Sequence, residues 1–147
     1  MKRPALIAGV SLALLAALPQ GHADEAFTMQ AASQFAKADG ATVYTHVCQS
    51  CHMADGKGAR QAGYYPAFAD NPALASPHYV ALTILQGRKN MPAFAAEPAQ
   101  MAAQRGIVLS DAQVADVTNY LRTHFGNRYE ERISAADVAE LRRAAGE

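Results

Sequence analysis

The positions richest in chemistry are Cys48, Cys51 and His52, in the run Cys48-Gln49-Ser50-Cys51-His52. These are the chain's only two cysteines, followed at once by an imidazole. A thiol serves as nucleophile, metal ligand or half of a disulfide, and an imidazole as base or ligand. A disulfide between residues three apart closes too small a loop to restrain the unfolded chain, so it makes a poor staple. A thioredoxin-like redox pair calls for a βαβ context, which is missing here. Zinc calls for about four ligands, and there is no second cysteine pair. On one helical turn, residues three apart face the same side. Both thiols then reach the two vinyl groups along one haem edge, and His52 falls beneath the iron. The expected cofactor is one covalently bound haem c, attached through Cys48 and Cys51 with His52 as an axial ligand.

Iron in an electron carrier takes a second axial ligand, and the chain has five methionines. Met1 and Met29 precede the motif, and Met53 adjoins His52 and does not reach the opposite haem face. Met91 lies in Gly87-Arg88-Lys89-Asn90-Met91-Pro92-Ala93-Phe94. Pro92 stiffens that turn and keeps Met91 out of helical geometry. A ligand held rigidly loses little entropy and reorganises little when the iron changes charge. Met91 is therefore the expected distal ligand. The plain alternative is a gap-filling core methionine. Met101, His46, His78 and His124 are the other distal choices, although His78 and His124 read as surface or capping residues. Arg88, Lys89 and Asn90 are close enough in sequence to Met91 to approach a haem propionate; equally, they form a solvated charged run. Gln49, Met53, Ala93 and Ala95 are expected to ring the haem edge as uncharged contacts. Iron bound by His and Met has no vacancy for substrate or oxygen, which favours electron transfer over catalysis. The alternative function is a haem enzyme or gas sensor, peroxidase-like, in which Met91 is displaceable.

Around these residues the pattern is helical. Asp39 is an N-cap for a helix carrying Val43, Tyr44 and Val47, which runs straight into Cys48. Residues 53–77 are rich in Gly, Pro, Asp and Asn. They read as a loop long enough to suggest that it wraps something other than protein. Ser76-Pro77 opens a second helix through Tyr79, Val80, Leu82, Ile84 and Leu85, and Gly87 stops it. Residues 87–106 are again loop-like. Ser110-Asp111-Ala112-Gln113 is a capping box before Val114, Val117, Tyr120 and Leu121, and Ser134 caps a last short helix with Val138 and Leu141. With no strand pattern, the expected fold is all-α.

The ends and the charge narrow the class. Lys2 and Arg3, an apolar run from Ala5 to Leu18, and Gly21-His22-Ala23 make a secretory signal with its cleavage site. At roughly 14 residues the run is short for a membrane span of about 20. Removing it leaves 11 basic against 13 acidic side chains. Nothing resembles the basic stripe of a nucleic-acid binder. Half the residues are apolar, yet many are alanine and tryptophan is absent. The protein is expected to be exported to the periplasm, with no direct membrane span after cleavage.

From about Asp39 to His124 the sequence resembles a class I bacterial cytochrome c: the CxxCH motif, the Met-Pro loop and a closing helix ending Asn119-Tyr120-Leu121-Arg122. The resemblance implies the cytochrome c fold, with the first and last helices crossing at Gly40 and Tyr44 on one side and Val117, Tyr120 and Leu121 on the other. It also implies that the Pro66 carbonyl, in Tyr64-Tyr65-Pro66-Ala67-Phe68, meets the second ring nitrogen of His52, and that Phe68 lines the haem. Arg88 is a further expected haem contact. The resulting division is a signal peptide at 1–23, an N-terminal extension at 24–38, a cytochrome c domain at 39–126 and a C-terminal extension with a short helix at 127–147. The tail, Phe125-Gly126-Asn127 with Ser134-Ala135-Ala136-Asp137-Val138, is similar to cytochrome c subunits of periplasmic dehydrogenases. The implied partners are a dehydrogenase donor and a downstream cytochrome or oxidase acceptor.

Overall fold

The computed structural model describes residues 33–61, 63–95 and 107–146. The signal segment 1–23, most of the N-terminal extension, Met29 and Met101 lie outside the described residues. Helix α1 has three consecutive parts: an α-helical turn Gly40–Val43, a π-helical turn Tyr44–Cys48 and an α-helical turn Gln49–His52. Asp39 caps it, its carboxylate accepting the Thr42 N–H at 2.8 Å. Helix α2 spans Pro77–Gln86, α3 Asp111–Thr123 and α4 Ala135–Ala144. Among the described residues there is no strand, only the isolated bridges Ala59–Tyr65 and Arg88–Met91. No described helix is long and apolar enough to cross a membrane. The all-α expectation holds.

Helix α3 is the hub, packed against α1, α2 and α4. Its Ser110–Gln113 capping box forms as the sequence predicts, and Val114, Val117 and Leu121 are buried with Val43, Val80, Leu85 and Val138. The crossing of α1 on α3 depends on Gly40, where a Cβ would overlap the Asp116 carbonyl and stand 2.8 Å from Tyr120 Cβ. The long segment after His52 is not featureless. The Ala59–Tyr65 bridge folds it back, and a 3-10 turn at Pro72–Ala75, capped by Asn71, delivers it to α2.

The C-terminal segment is sewn into this core. Asn119 donates to the Ile133 carbonyl at 2.8 Å and accepts the Ile133 N–H at 3.0 Å. Arg122, 1% exposed, donates to the carbonyls of Leu74 (2.8 Å), Ala75 (3.0 Å) and Glu131, and its guanidinium lies over the Tyr129 ring. Arg142 of α4 pairs with Asp111 of α3 at 2.8 Å. One side chain, Arg122, thus ties the 3-10 turn, α3 and the tail together.

Candidate haem-attachment site

Cys48 and Cys51 are half-buried, and no disulfide joins them. Burial, with Cys51 adding to it, pushes the Cys48 thiol up to about 12. A thiol held so firmly protonated is a poor redox nucleophile, which argues against the thioredoxin-like use. His52, at the end of α1, is half-buried and stacks on Phe68 with ring centroids 4.6 Å apart, while Tyr65 meets it edge-on at 6.3 Å. Burial pushes the imidazole pKa down, and the Pro66 backbone carbonyl opposes that shift. The Pro66 carbonyl therefore lies near the ring, yet Nδ1 is buried and makes no hydrogen bond of proper geometry.

The loop beneath His52 is shaped by close backbone approaches. A Cβ on Gly58 would overlap the Tyr65 carbonyl and one on Gly56 the Phe125 ring, and both glycines have positive φ. These contacts bring the Tyr65-Pro66-Ala67-Phe68 stretch under the histidine. Phe68 is fixed from behind: the Asn127 amide donates to its carbonyl at 3.1 Å, and to the Leu121 and His124 carbonyls. Tyr44 packs on Phe68, Tyr120 and Phe125, and its hydroxyl donates to the Met53 carbonyl at 2.5 Å. Burial, with Cys48 adding to it, pushes that hydroxyl up to about 12, so it remains a donor. Sequence reasoning found Tyr44 as a packing ring, whereas neither its hydroxyl bond nor the role of Asn127 has a local signature.

Met91 sits in a tight turn, its N–H donating to the Arg88 carbonyl at 3.0 Å and its carbonyl accepting the Arg88 N–H at 3.1 Å. Lys89 takes φ 55° to close it. The strand-like residues that follow are pinned to α2, Phe94 N–H to Ile84 and Ala95 N–H to Leu85. Cys48, Met91 and Phe94 all border the same apolar core, partly buried. Arg88 lies over the Tyr79 ring at 6.0 Å. Of the expected edge residues, Met53 is 37% exposed, but Ala95 is 3% exposed. Its bond to Leu85 turns it inward, so Ala95 is removed from that ring. His46, His78 and His124 are exposed, and His124 serves as the C-cap of α3. The groove of about 530 Å³ lined by Phe35, Val108, Leu109 and Gln113 includes none of the motif residues.

The half-buried thiols on one turn, the adjacent half-buried imidazole with its buried Nδ1 making no hydrogen bond, and the stacked Phe68 fit a haem. The profile of the cytochrome c family matches residues 37–125. The chain belongs to the cytochrome c family. As a member it carries covalently attached haem c and works by electron transfer on that haem. The cytochrome is 34% identical, over 74% of its own length, to the fructose dehydrogenase cytochrome subunit of Gluconobacter japonicus. It is 34% identical over 78% to the alcohol dehydrogenase (quinone) cytochrome c subunit of Gluconacetobacter polyoxogenes. It is 36% identical over 71% to the gluconate 2-dehydrogenase cytochrome c subunit of Pantoea cypripedii. These matches cover only 22%, 24% and 24% of those relatives. The cytochrome thus spans about a quarter of the length of the curated relatives it matches.

Proposed function

We propose that this cytochrome is a periplasmic one-electron carrier. Its haem is bonded to Cys48 and Cys51, with His52 and Met91 as axial ligands, and it takes electrons from a dehydrogenase and passes them to a downstream cytochrome or oxidase. The observation that carries the reading is the buried His52 Nδ1 beside the Pro66 carbonyl. A proton on Nδ1 directed at that carbonyl leaves Nε2 free as the iron ligand and fixes the ring's tautomer. Haem, when bound, supplies the one-electron change at iron. Phe68 limits rotation of the imidazole by stacking, and Asn127 holds Phe68 in place. The Arg88–Met91 turn restrains the thioether, and a neutral sulfur ligand raises the potential relative to a second imidazole. Arg88 is near enough to Met91 in that turn to meet a propionate. The dehydrogenase partner is inferred from the names of the three relatives, and export from the basic start and short apolar run of residues 1–23.

The deciding experiment is an absorption spectrum of the purified holo-protein, oxidised and reduced. Covalent haem with the weak long-wavelength band of iron–methionine ligation, lost in Met91→Ala, supports the carrier. Covalent haem without that band, with fast carbon monoxide binding to the reduced protein, would move the distal site to the enzyme or sensor reading.

A further inference from the structure

Directly after His52, Met53 has φ 63° and ψ 160°. Glycine enters that region freely, whereas a side chain there is strained. Such a conformation persists only where its surroundings over-determine it. Three donors converge on the peptide groups concerned. Gly56 N–H donates to the Met53 carbonyl at 3.2 Å and Gly58 N–H to the His52 carbonyl at 3.2 Å. The Tyr44 hydroxyl donates to the Met53 carbonyl at 2.5 Å and lies 3.5 Å from the His52 carbonyl.

The first two bonds belong to the loop itself and move with it. The third comes from α1 and is anchored. Tyr44 is 2% exposed, with its ring 4.8 Å from Phe125, 5.7 Å from Tyr120 and 6.0 Å from Phe68, centroid to centroid. Its backbone carbonyl accepts the Gln49 N–H across the π-turn. Tyr44 therefore brackets the second half of the motif: its carbonyl holds the Gln49 end and its hydroxyl the Met53 end, with Cys51 and His52 between them. π-turns of this kind concentrate at functional positions.

We propose that the Tyr44 hydroxyl is a positioning group for His52, clamping the strained peptide after it and so fixing the direction in which the imidazole is presented. This rests on the reading of His52 as an axial ligand. Tyr44→Phe keeps the packed ring and deletes the clamp. The Met53 backbone then relaxes toward an ordinary region and carries the histidine with it. Met53→Gly makes the native conformation free of strain, so the clamp becomes dispensable.

The test is a double-variant cycle on the holo-protein, read by the paramagnetically shifted haem-methyl resonances of the oxidised form, which report the axial imidazole orientation. Amide exchange at Gly56 and Gly58 gives a second readout. Tyr44→Phe is expected to redistribute the methyl shifts and speed the two amides about tenfold, the worth of one hydrogen bond. In the Met53→Gly background the same substitution is expected to leave the methyl pattern nearly unchanged. Unchanged methyl shifts in Tyr44→Phe, or equal changes in both backgrounds, would overturn the inference. If Tyr44→Phe fails to load haem, recovery of loading by Met53→Gly supports it and no recovery overturns it. A haem spectrum that survives His52→Ala unchanged would instead remove the parent reading, and this inference with it.

Discussion

The C-terminal clamp and the attachment loop solve opposite problems within one small core. Around Arg122 and Asn119 the buried guanidinium and amide find backbone partners and Val138 is fully buried, with the neighbouring Thr118 hydroxyl making no hydrogen bond. Around His52 the features are different. An imidazole nitrogen is buried without a bond, two thiols are half-covered, and Met53 sits in a strained conformation. A buried polar atom left unpaired is costly, and in the attachment loop that atom belongs to His52, next to the two thiols. The two regions meet where Asn127, beyond the end of α3, bonds the Phe68 carbonyl of the loop.

The largest effect should come from cutting the covalent attachment. The Cys48→Ala/Cys51→Ala variant is expected to keep no haem through denaturation, as mass spectrometry will read. Its amides between residues 53 and 95 should exchange much faster, while α3 and α4 remain comparatively protected. Exchange that rises equally in both regions would show that they are one cooperative unit.

The clamp is tested by Arg122→Met. The substitution retains much of the volume and strands the carbonyls of Leu74, Ala75 and Glu131. Each buried carbonyl left unsatisfied costs about 1–3 kcal/mol, a loss measurable by denaturant unfolding of the holo-protein. The folded variant should retain its haem spectrum. A smaller loss, of the size seen at surface positions, would deny the clamp its role.

Asn127 joins the two regions, because its amide reaches from the end of α3 to the Phe68 carbonyl. Asn127→Ala should cost about 1–3 kcal/mol and, unlike Arg122→Met, disturb the haem spectrum as Phe68 loosens against His52. A loss of stability with no spectral change would mean that Phe68 is held by its packing alone.

Much of this was legible before any coordinates. Caps are local, so Asp39, Ser76, Ser110 and Ser134 could be read from three or four residues each, and all four bonds are made. The Cys48, Cys51 and His52 constellation is equally local. Arg122, Asn119 and Asn127 were illegible as buried groups because their partners lie far along the chain: Arg122 bonds Leu74, 48 residues away, and Asn127 bonds Phe68, 59 away. A polar residue on a helix reads as solvent-facing until another segment is seen to cover it. Tyr44 is the intermediate case. Its ring follows from helical spacing, while the bond to Met53 depends on a π-turn and a left-handed residue that no pattern announces.

The smallest expected effect lies at the far edge of the clamp. The Ser134 hydroxyl and N–H both meet the Asp137 carboxylate, at 2.7 and 2.8 Å. These hydrogen bonds, with a further contribution from His78, hold the Asp137 pKa below its ordinary value. A carboxylate whose folded pKa is depressed stabilises the fold above its unfolded pKa, and that contribution fades as pH falls through the folded value. α4 should therefore fray in acid before α3 does, seen as faster amide exchange in residues 135–144 below the ordinary carboxylate range. Ser134→Ala should bring the same fraying to neutral pH and flatten its pH dependence. Val138 and the Arg142–Asp111 pair still hold the helix, so the haem spectrum should not move. A spectral shift that tracks Asp137 protonation would show that the clamp communicates with the attachment loop more strongly than their separate bonding implies.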